Sequence, residues 1–115
     1  MMSESIFTKI IKREIPANIV FENEEVIAFE DISPKAPVHI LVVPKKHIAT
    51  INDAGVEDAE LLGKVILAAA EIAKSKGIAE RGYRLVINCN EEGGQSVFHI
   101  HCHLIGGKKL SWNPD

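Results

Sequence analysis

Aromatic residues and cysteines are scarce in this 115-residue sequence, which has one Trp, one Tyr, four Phe and two Cys. Cys89 and Cys102 form no disulfide framework and lack the spacing of metal-binding pairs, so we expect a reduced, cytoplasmic setting. No apolar run approaches the roughly 18–20 residues that a membrane span requires. The N-terminus also lacks the basic and apolar segments of a secretory signal. We therefore expect no association with a membrane.

Charge of one sign is not in large excess. The chain has 13 Lys and Arg against 16 Asp and Glu, a net charge of −3 with neutral histidines. This balance argues against a general nucleic-acid binder, which usually carries a basic stripe. An anionic small molecule stays possible, because its binding depends on local charge. The length and the hydrophobic content of 46% are typical of a single globular domain over residues 1–115.

The residue pattern predicts two helices and about five short strands. A short helix over residues 6–13 begins after Ser5 as its N-cap and ends before Pro16, and a long helix covers residues 57–76. The β-rich runs are residues 19–21, 26–30, 38–43, 83–89 and 97–105. Most of these strands are joined as hairpins, so we predict an α+β fold with an antiparallel sheet.

The long helix carries an unusually wide apolar stripe. Its members are Leu61, Leu62, Val65, Ile66, Ala69, Ile72 and Ala73. A stripe of this width indicates a helix that is covered from two sides, for example at a dimer interface. Deep packing of the helix on the sheet is the alternative.

Three of the five histidines lie within five residues. If residues 97–105 form one strand, His99, His101 and His103 share a face, whereas Phe98, Ile100, Cys102 and Leu104 supply core contacts from the other face. Such a row is compatible with nucleophilic catalysis, with a metal centre, or with structural hydrogen bonds. His39 could join the row from a neighbouring strand, and His47 is expected to lie outside it.

The segment before the histidines, Gly93-Gly94-Gln95-Ser96, is compatible with two structures. Its glycines allow backbone N–H groups to turn towards an anion, and the Ser96 hydroxyl adds a donor, so the segment could cradle a phosphate. An ordinary hairpin turn is the alternative. No Asp or Glu lies within the predicted strand to support a metal ligand.

These residues resemble a known family. The segment His99-Ile-His-Cys-His-Leu-Ile105 matches the alternating signature of the histidine triad (HIT) superfamily, and residues 94–97 match what precedes it. Residues 7–16, 28–39, 44–48 and 82–84 resemble its Hint branch, the histidine triad nucleotide-binding proteins, so the resemblance extends over nearly the whole chain.

The resemblance implies a HIT-like fold, with a five-stranded antiparallel sheet, one long and one short helix, and sheets joined across a homodimer. It implies a hydrolase, a purine nucleoside phosphoramidase that cleaves the P–N bond of nucleoside 5′-monophosphoramidates such as AMP-lysine through a nucleotidyl-histidine. Three alternatives are a diadenosine polyphosphate hydrolase, a nucleotidyl transferase on the same triad, and a non-enzymatic nucleotide-binding adaptor. A metal-binding protein ranks below these.

By the same resemblance, His101 is the nucleophile, His99 orients it, His39 supports the cluster, and His103 contacts the phosphate and carries a proton to the departing amine. The expected phosphate-side and ribose contacts are Asn88, Gly94, Gln95 and Ser96, with Asp31 on the ribose hydroxyls. For Asp31 an Asx turn is the alternative, and core packing is the alternative for the expected base-pocket residues, which are Phe7, Ile10, Ile15, Phe29 and Ile32. Trp112 belongs to a tail that shapes the partner subunit's site in this family. We expect no metal or other cofactor, because Val26 stands where some relatives have a zinc-associated cysteine.

Overall fold

Five strands and two α-helices make up the part of the chain that the structure describes, residues 4–112 of a computed structural model. In chain order they are α1 (Ile6–Ile11), β1 (Ile19–Glu22), β2 (Val26–Glu30), β3 (Val38–Pro44), α2 (Ala59–Ser75), β4 (Tyr83–Val86) and β5 (Cys102–Gly106). Two short 3₁₀ turns, Ile51–Asp53 and Val56–Asp58, lead from β3 into α2.

The strands form one antiparallel sheet in the order β1-β2-β3-β5-β4. The β1–β2 hairpin turns at Asn23, whose side-chain Oδ1 accepts the N–H groups of Glu25 and Val26. Strand β3 lies at the centre, and every residue after Val38 is buried. This confirms that residues 38–43 form a central strand that is covered on both faces.

The two faces of the sheet carry separate apolar clusters. Side chains of β2, β3 and β5 pack against α2 on one face, where Val65, Ala69 and Ile72 are almost fully buried. The alternate residues of β2 and β3 point to the other face, where they meet Phe7 and Ile10 of α1. The sheet is therefore covered by one helix on each side.

The outer side of α2 stays open. Packing on the sheet buries Val65, Ala69, Ile72 and Ala73 of the predicted stripe, whereas Ile66 is 44% exposed. Leu67, which lies outside that stripe, is 70% exposed, so apolar surface of this helix is left uncovered. Within residues 4–112, neither helix combines the length and the apolarity that a membrane crossing needs.

The short helix starts where the sequence predicts and stops earlier. Ser5 is its N-cap, and the Ser5 Oγ accepts the N–H of Thr8 at 3.0 Å. The helix ends at Ile11 instead of residue 13, because Arg13 adopts a left-handed backbone with φ of 63°.

The predicted strand over residues 97–105 is wrong in its first half, because β5 begins only at Cys102. Cys102 pairs with Val42, so a longer β5 would bring Ile100 opposite Pro44, which has no N–H to donate. Ile100 bonds to the Ile48 carbonyl instead, at 2.8 Å. Phe98, which was expected to supply a core contact, is 47% exposed. Strand β4 likewise ends at Val86, three residues before the predicted boundary.

Candidate active site

Four imidazoles come together on the α1 face of the sheet, although only two of them lie on strands. His39 is the second residue of β3, His103 lies on β5, and His99 and His101 lie in the irregular segment before β5. The His103 ring centroid is 5.2 Å from that of His39 and 5.0 Å from that of His101. The histidines thus converge as the sequence predicts, but His99 and His101 lie on an irregular segment and not on a strand.

The hydrogen bond of His101 identifies which ring nitrogen is free. Its Nδ1 lies 2.8 Å from the carbonyl oxygen of His99, which can only accept, so we assign the proton to Nδ1. The Nε2 of the neutral ring therefore has an available lone pair. Phe7 packs edge-on against this ring, with centroids 4.9 Å apart, and restricts its rotation.

His39 and His103 form a directed pair. The backbone N–H of Lys35 donates to Nδ1 of His39 at 3.0 Å, which leaves the proton of the neutral ring on Nε2. That Nε2–H donates to Nδ1 of His103 at 2.9 Å. His103 consequently carries its own proton on Nε2. The Asp31 carboxylate lies 3.5 Å from Nε2 of His39 and supports this arrangement.

His99 lies behind the other imidazoles and is fully buried. Its Nε2 donates to the Pro44 carbonyl at 2.8 Å. Its Nδ1 faces two hydroxyls, with Ser5 Oγ at 3.0 Å and Thr8 Oγ1 at 3.4 Å. His47 also contacts it, with ring centroids 4.9 Å apart. His47 therefore adjoins the cluster, contrary to the expectation that it lies outside.

Burial keeps the cluster uncharged at neutral pH. Desolvation is the main cause that lowers the pKa of His39, His99 and His101 below the ordinary histidine value. Burial, with repulsion from His101 and His39, lowers the pKa of His103 to about 4. The free site thus presents neutral imidazoles, which can act as nucleophiles and accept protons.

A cavity of about 390 Å³ opens in front of His101 and His103, a size in the range of small-molecule sites. It is lined by all five of the expected base-pocket residues, together with Asp31 and Ser96. Phe7, Ile10 and Phe29 also belong to the buried cluster on this face, so they are both core and cavity wall. Ile32 is 98% exposed and forms the rim.

The Asx turn that was the alternative for Asp31 is present, and the expected ribose contact stays a prediction. One carboxylate oxygen, Oδ1, accepts the N–H of Ser33 at 2.7 Å in an Asx turn. The other, Oδ2, is the oxygen nearest to His39, and the residue lines the cavity. The turn therefore fixes the direction of the carboxylate.

The turn before the histidines requires both of its glycines. Gly94 has a φ of 84°, which side chains disfavour, and a Cβ on Gly93 would overlap the carbonyl oxygen of Cys89. The Gly94 N–H donates to the Glu91 carbonyl at 3.0 Å, so it serves the turn. The expected phosphate contact through this N–H is therefore not available in the described geometry. Ser96 is exposed and lines the cavity.

Three other expected substrate contacts do not line the cavity. The amide of Gln95, which is 6% exposed, donates to the Ala49 and Val97 carbonyls and accepts the Asn90 N–H, so this side chain holds the turn. Asn88 donates to the Gly93 carbonyl at 2.7 Å from the side of the turn. Trp112 is 92% exposed and is not among the residues that line the cavity.

Sequence reasoning gave no role to two features of the site. Glu30 lines the cavity, and the Asn18 amide holds its Oε1 at 2.8 Å. The hydroxyls of Ser5 and Thr8, at the start of α1, contact His99, although Ser5 was predicted only as a helix cap. A hydroxyl that is 94 residues from its histidine partner in the chain gives no signal in sequence spacing.

Asp31, His39 and His103 bring three possible metal-ligand atoms within 4.8 Å of one another. A metal on Nε2 of His39 would force the ring proton onto Nδ1, where it would oppose the N–H of Lys35. The hydrogen bonds of this group therefore favour a proton over a metal ion. The absence of a metal from the reaction stays a prediction.

The α+β fold and the neutral imidazoles beside a cavity of small-molecule size define the class of this protein, a small α+β protein with a histidine-rich site. The HIT domain profile matches residues 12–110, and the chain belongs to the HIT family. It is 54% identical over 110 residues to a purine nucleoside phosphoramidase of Escherichia coli (strain K12), covering 96% of this chain and 92% of that protein.

Solved structures give the same assignment. A HIT family hydrolase from Legionella pneumophila Philadelphia 1 superposes with a TM-score of 0.95 at 51% identity, over 97% of this chain and 100% of that one. A histidine triad protein from Clostridium difficile superposes with a TM-score of 0.91 at 42% identity, over 96% and 97% of the two chains. The predicted family and the five-stranded antiparallel HIT fold are confirmed.

Proposed function

We propose that this protein is a hydrolase that cleaves the P–N bond of purine nucleoside 5′-monophosphoramidates. The observation that carries the proposal is His101, whose Nδ1 is held by the His99 carbonyl so that the lone pair of Nε2 is free at a cavity wall. The 54% identity to the E. coli purine nucleoside phosphoramidase supports the substrate class.

In the first step, Nε2 of His101 attacks phosphorus and forms an N–P bond as the P–N bond to the amine breaks. The amine must gain a proton to leave as a neutral molecule. The bound phosphate anion favours uptake of one proton by the His39–His103 pair. His103 then carries a proton on both nitrogens, and the His39 proton moves to Nδ1 and displaces the Lys35 N–H. Nε2–H of His103 delivers its proton to the amine nitrogen. The nucleotidyl-histidine is a cation whose Nδ1–H stays bonded to the His99 carbonyl.

In the second step, water attacks phosphorus and breaks the bond to His101. His103, now neutral, accepts the proton of the water, and His101 regains its lone pair. The products are a nucleoside monophosphate and a free amine. Division of the reaction through a covalent histidine replaces one difficult displacement by two easier ones.

The cavity supports a matching orientation of the nucleotide. The apolar residues that line the cavity suit a purine base, and the Asp31 carboxylate suits vicinal ribose hydroxyls. Ser96, which lines the cavity together with His101 and His103, suits the phosphate. Asn88, Gly94 and Gln95 act in this proposal through the shape of the turn.

The direct test is turnover of adenosine 5′-phosphoramidate and AMP-lysine by wild type and His101→Ala, each with and without a chelator. We expect a loss of about 10³-fold or more in kcat/KM for the variant and no effect of the chelator. Equal turnover by both proteins would refute the proposal. Fast cleavage of dinucleoside polyphosphates with negligible phosphoramidate turnover would favour the polyphosphate hydrolase, and tight nucleotide binding without turnover would favour the adaptor.

We also propose that the chain is a homodimer whose sheets join, and that it acts in the cytoplasm as a single domain. The exposed Ile66 and Leu67 of α2 support the dimer, together with the outer edge of β4, which pairs with no strand among residues 4–112. In a dimer, Trp112 would be free to reach the partner subunit's site. The two free cysteines, Cys89 and Cys102, are consistent with a reducing compartment.

A further inference from the structure

The first residue before α1 contacts the active site from behind. Ser5 Oγ accepts the N–H of Thr8 as the helix cap, lies 3.1 Å from Thr8 Oγ1, and lies 3.0 Å from Nδ1 of His99. Ser5 does not line the cavity, so it is not placed to touch the substrate. The hydroxyl therefore bonds to two residues, Thr8 in the first turn of α1 and His99 in the histidine cluster.

The proton positions around this hydroxyl can be assigned. The Pro44 carbonyl accepts from Nε2 of His99, so Nδ1 of the neutral ring has no proton and must receive a hydrogen bond. The O–H of Ser5 is the nearer donor, and Thr8 can donate to Ser5 Oγ in turn. In this arrangement each hydroxyl donates once, and the two nitrogens of His99 are both satisfied.

His99 transmits this constraint to the nucleophile. Its carbonyl accepts from Nδ1 of His101, and Phe7 of the same helix contacts both rings, at centroid distances of 6.0 and 4.9 Å. A displaced or protonated His99 would move the carbonyl that fixes the His101 ring. The Ser5 hydroxyl therefore contacts both the first turn of α1 and the residue whose carbonyl holds the His101 ring.

We propose that Ser5 is a positioning residue for the phosphoramidase reaction. The Ser5 hydroxyl donates to Nδ1 of His99 and thereby keeps the His101 nucleophile aligned. The role rests on the function proposed above. It requires a hydrogen-bond donor at residue 5, whereas a helix cap requires only an acceptor. This difference separates the two roles experimentally.

Three substitutions use that difference. Ser5→Ala removes both bonds, Ser5→Thr retains both, and Ser5→Asp retains the cap while offering no proton to His99 at neutral pH. Ser75→Ala is the matched control, because its hydroxyl bonds to the Ile72 carbonyl near the end of α2, away from the site. Steady-state kinetics, melting temperatures and ¹⁵N NMR of the histidine rings are measured for all four variants and wild type.

We expect Ser5→Ala to lower kcat about tenfold with little change in KM, since Ser5 does not face the substrate. Ser5→Thr and Ser75→Ala should keep wild-type kcat. Ser5→Asp should keep the melting temperature and still lower kcat. The new carboxylate faces the buried His99, whose other titratable neighbours are His47 and His101, so the acid limb of the pH profile should move up by about one unit.

The NMR measurement tests the proposal without turnover. In wild type at pH 7, the His99 ring should carry its proton on Nε2 alone, and in Ser5→Asp a second proton should appear on Nδ1 at a higher pH than in wild type. If Ser5→Asp matches wild type in kcat and in the His99 nitrogen shifts, Ser5 is only a helix cap. If wild type itself fails to turn over phosphoramidates, the proposed function fails, while the nitrogen shifts still decide the role of Ser5.

Discussion

At the scale of single residues, carbonyl and amide partners decide what each imidazole of the cluster can do. His101 and His99 both donate to backbone carbonyls, but through different nitrogens, so that the nitrogen without a proton is Nε2 in His101 and Nδ1 in His99. His39 accepts from the N–H of Lys35 and therefore donates through Nε2. Chemically identical side chains thus acquire distinct roles from their backbone surroundings.

Burial of His103 makes the stability of the protein depend on pH. Its pKa falls from an unfolded value of 6.5 to about 4, so between these values the unfolded chain binds the additional proton. The part of the stability that depends on a neutral His103 is therefore fully present above pH 6.5 and is lost as the pH falls towards 4. We expect His103 to account for a decrease of about 2 kcal/mol in the free energy of unfolding, less than the full shift implies, because the ring is partly accessible.

Urea unfolding at pH 7, 5.5 and 4 measures this dependence, with His103→Gln as the variant that lacks the titrating ring. The variant should lose less stability over this range than wild type, although His39, His99 and His101 still contribute in the same direction. Equal losses in the two proteins would show that His103 does not titrate as described.

The buried Cys102 thiol is expected to be unreactive. Burial raises its pKa to about 11, so almost no thiolate forms at pH 8, and its side chain lies on the α2 face, away from the cavity. Alkylation of the native protein at pH 8 followed by peptide mass spectrometry should label Cys89 and leave Cys102 intact until denaturant is added. Rapid native labelling of Cys102 would contradict its burial.

At the scale of elements, the turn over residues 90–95 fixes the approach to the histidine segment through its backbone. Gly93→Ala would place a methyl group against the Cys89 carbonyl oxygen and force the turn apart. We expect a loss of about 2 kcal/mol in the free energy of unfolding. Activity should fall with it, because Ser96 and the histidine segment follow directly.

Chemical denaturation and phosphoramidate turnover measure both effects. Glu92→Ala, an exposed position in the same turn, is the control and should change stability by less than about 0.5 kcal/mol. A Gly93→Ala variant as stable as this control would mean that the turn relaxes without cost.

The elements show which parts of the fold the sequence could predict. Periodicity identified both helices and all five strands, because apolar faces are buried with the period of each element. The same rule failed at residues 97–101, since alternation depends on a paired strand and Pro44 gives this segment no partner. The contacts of Ser5 and His47 with His99 could not be predicted, because they join segments that are distant in the chain and carry no periodic pattern.

At the scale of the whole molecule, the sheet separates the functions of its two faces. The α2 face holds the larger apolar cluster, whereas the α1 face combines a smaller cluster with the cavity and the imidazoles. Because α1 has only six residues, its position depends on a few contacts, among them Phe7 and the Ser5 hydroxyl. The site is therefore built on the less extensively packed side, where a ligand can enter.

The remaining apolar surface of α2 predicts the oligomeric state. In a twofold dimer the same patch meets its own copy, so a charge at Leu67 would face or adjoin its symmetry mate across the interface. We expect wild type to sediment as a dimer at micromolar concentration and Leu67→Glu to sediment as a monomer, since an unpaired buried charge is costly. Val56→Glu makes the same change at another exposed apolar residue, outside α2, and should leave the dimer intact. A monomeric wild type over this range would contradict the proposed dimer. A dimer that tolerates Leu67→Glu would show that the interface does not include this side of α2.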